Sequence, residues 1–79
     1  MDWEAEARNI LKGLMGRQDV GFMELAVKLS AIGVDIKHKP LSNKVMRGKF
    51  SFAFFLQCLV ALGVDKIEHG IEPALARKG

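Results

Sequence analysis

Seventy-nine residues, 49% of them hydrophobic and 27% charged, with a formal net charge of +3, describe a single domain: too short for two cores and too apolar to remain disordered. The lone cysteine, Cys58, excludes an intrachain disulfide, and the longest apolar run, Phe52 to Leu62, is about half of what a bilayer span needs. The start, "MDWEAEARN", is acidic and amphipathic rather than basic and then apolar, unlike a secretory signal; with a reduced thiol it points to the cytoplasm.

The charge is unevenly placed. Residues 1–35 carry six acids and four bases, net −2, residues 65–79 balance at three of each, and residues 36–64 carry Lys37, Lys39, Lys44, Arg47 and Lys49 with no acid. All the positive excess therefore lies between Lys37 and Lys49. A clustered field of one sign attracts polyanions better than a scattered one; a solvated polar loop is the plainer account of the same residues.

In chain order, Asp2 caps a first helix over about 2–16, with an inward stripe of Trp3, Ala7, Ile10, Leu11 and Leu14. Glu4 and Glu6 in its first turn and Arg17 near its end suit the helix dipole. A second helix, about 22–32, places Phe22, Leu25, Ala26, Leu29 and Ile32 inward, and Gly33 stands ready to take positive φ after it. In the loop "VDIKHK" Val34 and Ile36 alternate with polar residues, leaving room for a short extended piece. The third helix, about 40–47, starts either at Pro40 or at a Ser42 cap, the latter with a staple between Leu41 and Met46. Either way Leu41 and Val45 face inward, Ser42, Asn43, Lys44 and Arg47 face outward, and Gly48 ends it. Ser51 caps a fourth helix, about 52–62, with Phe52, Phe55, Leu56, Leu59 and Leu62 on one side and Phe54 at the edge, as core rim or interface. So apolar a helix belongs at the centre. A short further helix over 64–69 closes a domain of residues 1–70, and residues 71–79 form a flexible tail. The fold class expected is all-α, four to five helices.

The residue inventory argues against catalysis. Two histidines and one cysteine do not make a zinc set, there is no glycine-rich phosphate loop, and no carboxylate pair is placed for acid–base work. His38 and Ser42 are four apart but lack an orienting third group. No enzyme activity, metal, cofactor or small-molecule ligand is expected, and Cys58, inside the apolar run, reads as a buried inert thiol.

A helix, a loop, a cationic helix and an apolar helix form the layout of a helix-turn-helix domain. "MELAVKL" at Met23–Leu29 resembles the "xELAxxL" second helix of the lambda-repressor-like (Cro/C1-type) family, "NKVMRGKF" at Asn43–Phe50 resembles its "SxIERGxR" recognition-helix ending, and "FFLQCLVALGV" at Phe54–Val64 resembles its fourth helix, "LLKIAKALGV". The resemblance covers about Gly21 to Val64. The core "NKVMRGKFSFAFFLQCL" also resembles a small family of uncharacterised bacterial domains of that type. The chain departs from the family in three places: the segment between Leu29 and Leu41 is about five residues longer, Phe22 stands where a phosphate-holding Gln is usual, and Met46 replaces the glutamate of "ERG".

The resemblance implies a double-stranded DNA partner, with the third helix in the major groove. Asn43 and Lys44 are the base-edge candidates, since Asn pairs bidentately with adenine and Lys reaches guanine acceptors. Lys37, Lys39, Arg47 and Lys49 are phosphate candidates, and Ser42 donates to a phosphate near the helix start. A homodimer or another protein would be needed for specific binding. The alternative is a protein-interaction module on a repressor-like scaffold, motivated by the longer loop, Phe22 and the apolar surplus of Met23, Phe50 and Phe54.

Overall fold

A computed structural model describes residues 1–65 as four helices: α1, Trp3–Arg17; α2, Phe22–Ala31; α3, His38–Arg47; and α4, Phe52–Leu62. Among the described residues there is no strand, so Val34 and Ile36 turn inward without pairing. The helix expected at 64–69, the domain limit at 70 and the tail at 71–79 lie outside the described residues.

Two starts are set by side-chain caps. Asp2 accepts from the Ala5 N–H at 3.1 Å, and Ser51 accepts from the Phe54 N–H at 3.0 Å; each satisfies a donor with no intrahelical partner. Three of the helices end alike. After α1 the Val20 N–H reaches the Met15 carbonyl and the Asp19 N–H reaches Gly16; Val34 and Gly33 repeat this on Leu29 and Ser30, and Val64 and Gly63 on Leu59 and Val60. This is the Schellman arrangement, which needs a left-handed residue just past the helix. Gly33 and Gly63 fill it, but after α1 the position is Asp19, at φ 56°.

The core joins Leu11, Leu14 and Met15 of α1, Leu25 and Leu29 of α2, Leu41 and Val45 of α3, and Phe54, Cys58, Leu59 and Leu62 of α4. α3 packs on α1 and α2, α4 likewise packs on α2 and α1, and the α3 and α4 backbones stay apart, bridged by the Lys44 side chain. The Gln18 side chain donates to the Leu62 carbonyl at 2.8 Å, tying the end of α1 to the end of α4.

The structure corrects several expectations. α3 begins at His38, two residues before Pro40, with Lys37 as its cap position. Ser42 is thus mid-helix and caps nothing, and Met46 is exposed rather than stapled to the buried Leu41. The connection from α2 shortens to 32–37, because His38 and Lys39 join the helix. On α4 the buried face runs through Phe54 and Cys58, while Phe52 is 71% exposed and Leu56 44%; Phe54 is core. With Gln57 as its one polar side chain, α4 has almost no polar face to orient it, so its rotation follows from how it packs against α2 and α1. Trp3 is 59% exposed and Ile32, just past the end of α2, also faces outward, each being the terminal member of its stripe.

Candidate nucleic-acid interface

α3 is anchored by two fully buried side chains, Leu41 and Val45, four apart on one face. Burying each contributes about 1.5–3 kcal/mol, which holds the helix while its other faces remain available. Pro40, Asn43, Lys44 and Arg47, at i, i+3, i+4 and i+7, make a continuous stripe that runs from the outward face, at Asn43 and Arg47, round to one flank, at Lys44. With Ile36 before the helix and Lys49 after it, they line an open groove of about 470 Å³.

The electrostatics of this flank are one-sided. No acid occurs between residues 36 and 64, and among the described residues none of Lys37, Lys39, Lys44, Arg47 and Lys49 makes an ion pair. The helix start sharpens the imbalance. Lys37 provides no side-chain cap, and the first turn holds no acid. The helix dipole disfavours cations there, and the His38 and Lys39 N–H groups remain free for an incoming acceptor. Pro40, with no N–H, suits this turn.

Gly48 sets how α3 sits against α1. It is buried and left-handed, at φ 68°. A Cβ there would collide with the Glu4 backbone carbonyl, so α1 passes directly over the end of α3.

Lys44 leans away from the outward face: its ammonium lies 4.9 Å from the centroid of the Phe54 ring on α4, within cation–π range. One turn further along α4, the Cys58 thiol is pushed up from 9.0 to about 11, mainly by burial and partly offset by the Lys44 charge.

Of the seven residues singled out from the sequence, Asn43, Lys44, Arg47 and Lys49 come together in the groove. Lys37 and Lys39 are exposed at the helix start, outside it. Ser42 is half-buried in the fifth position of α3 and lines no part of it, so it does not stand near the helix start as expected. Ile36 and Pro40 were missed as lining residues, although Pro40 stands at helical spacing from Asn43 and Lys44. Among the described residues, no three of His, Cys, Asp and Glu come together to hold a metal, and no helix is long and apolar enough to cross a membrane.

A second surface is apolar. Phe50 stacks on Phe55 at 6.2 Å, and with Ala7, Ile10, Ser51 and Phe52 they line a pocket of about 280 Å³. Phe52, Leu56 and Val60 continue along α4 as an exposed stripe, and Met23 and Val27 are exposed on α2.

No curated protein and no solved structure matches the chain. A family model does match, over residues 3–67, a span that takes in all four helices. By that match the chain belongs to the family described as Domain of unknown function (DUF6471).

Proposed function

We propose that this domain binds double-stranded DNA through α3, on a lambda-repressor-like helix-turn-helix scaffold, as a cytoplasmic transcriptional regulator. The observation that carries the reading is the acid-free flank of α3. Its cations make no ion pair among the described residues, and its first turn has free N–H groups and no compensating acid. An anion-rich partner relieves each of these features, and a helix whose buried side chains are Leu41 and Val45 leaves its outward face free to enter a major groove. The resemblance of Met23–Leu29 and Asn43–Val64 to that family supports the same reading, as does the packing of α3 on α2. One small domain reads few base pairs, so selective binding calls for a second copy or a partner.

The test is a titration of labelled duplex DNA at two salt concentrations, followed by amide and side-chain chemical shifts. Binding without sequence selection should fall at a Kd of about 10⁻⁴–10⁻⁶ M and weaken steeply with salt. Shifts at Lys39, Asn43 and Arg47 are expected; their absence at low salt would end the DNA reading.

The second reading is a protein-interaction module, favoured by the exposed Phe52, Leu56 and Val60 stripe together with Met23 and Val27. It predicts that resonances of Phe52 and Met23 broaden with protein concentration alone, without DNA.

A further inference from the structure

We infer that Lys44 is a phosphate clamp rather than a base reader, that Phe54 positions it, and that base reading on α3 falls to Asn43 and Arg47; this rests on the DNA reading above. From sequence alone Asn43 and Lys44 are equivalent candidates, adjacent and polar. The structure separates them. Asn43 and Arg47, four apart and both exposed, lie one above the other on the side of α3 away from Leu41 and Val45. Lys44 sits 100° round the helix from Asn43, and its ammonium is over the Phe54 ring. Phe54 is a core residue, 6% exposed, so its ring cannot follow Lys44 outward.

Reaching a base edge would require Lys44 to leave that ring and cross the face of its own helix. Remaining there leaves the ammonium at the rim, where α3 meets the level of α4. A groove-bound helix has base edges against its outward face and the phosphate backbone along its flanks, so a cation held on the flank meets phosphate. The ring fixes a flexible four-carbon stem before binding, which lowers the ordering cost of the contact. Asn43 can pair bidentately with adenine, and Arg47 can fork onto guanine.

The experiment selects duplexes from a randomised library with the wild-type chain. It then measures affinity across a salt series for wild type, Lys44→Met, Lys44→Arg, Phe54→Leu, the Lys44→Met/Phe54→Leu double variant and Asn43→Ala. Lys44→Met should weaken every duplex by a similar factor and lower the log–log salt slope by about 0.9, the value of one phosphate. Lys44→Arg should restore both. Phe54→Leu, checked for folding by its thermal melt, should weaken binding several-fold in the wild-type background and leave Lys44→Met unchanged. Asn43→Ala should flatten the preference at one base pair and leave the slope intact. In the free protein, the Lys44 side-chain methylene protons should lose their upfield ring-current shift in Phe54→Leu. A Lys44→Met variant that changes base preference while keeping the salt slope overturns this inference and leaves the DNA reading standing. A wild-type chain that binds no duplex at low salt overturns both.

Discussion

The backbone carbonyl of Glu4 lies where a side chain on Gly48 would have to go. The first turn of α1 thus closes over the end of α3, and Gly48 carries two constraints at once, a left-handed φ of 68° and the close approach of another helix. Gly48→Ala should cost about 2–5 kcal/mol, combining left-handed strain of about 1–2 kcal/mol with overpacking of about 1–3 kcal/mol. Gly63, at φ 70° but facing open space, provides the control: Gly63→Ala should cost only the strain. Urea denaturation of the two variants measures the difference, and equal losses would show that the Glu4 contact yields easily.

Asp19 occupies a position that the other two Schellman ends fill with glycine. Asp19→Gly relieves a left-handed non-glycine residue at φ 56° and should stabilise the domain by about 0.5–1 kcal/mol, read as a higher melting temperature. No change would mean that the aspartate side chain compensates locally.

The start of α3 lacks both a side-chain cap and an acid in its first turn. Lys37→Asp would place an acceptor at the cap position, within reach of the Lys39 N–H, and an acid at the positive end of the dipole. A gain of about 1 kcal/mol in stability is expected, together with weaker DNA binding and a salt slope smaller by at least about 0.9. Opposite movement of the two quantities is the diagnostic; a variant that gained stability and kept its affinity would remove this end of α3 from the interface.

Cys58 should resist alkylation in the native state. Its pKa is about 11 when folded against 9.0 when exposed, so the folded state retains the proton more tightly. Stability is therefore independent of this group below about pH 9, falls as pH rises from there, and levels off near 11, where the folded thiol also ionises. Thiol labelling across this range should track unfolding and not simple exposure.

Much of the architecture could be read from residue types. Asp2, Ser51, Gly33 and Gly48 announce helix ends because each has a conformational or hydrogen-bonding reason to be there. The start of α3 was hidden because Lys37, His38 and Lys39 carry no start signal, and local preference there runs against the observed state. The buried side of α4 was hidden for the opposite cause: Phe52 and Phe54 are chemically identical, and only the packing of α2 and α1 against the helix tells them apart. For the candidate interface, the cationic cluster was visible from charge alone. The division of Asn43 from Lys44 was not, since it depends on a ring ten positions further along the chain.

The Gln18–Leu62 hydrogen bond joins residues 44 positions apart, and α2 and α3 lie wholly inside the loop it closes. Such a contact forms only once α4 has docked, so it belongs to the end of folding and not to the nucleus. Gln18→Ala should therefore speed unfolding and leave the folding rate nearly untouched. The lifetime of the assembled domain, and with it the time α3 stays presented, is governed from a corner of the molecule that lies outside the cationic groove.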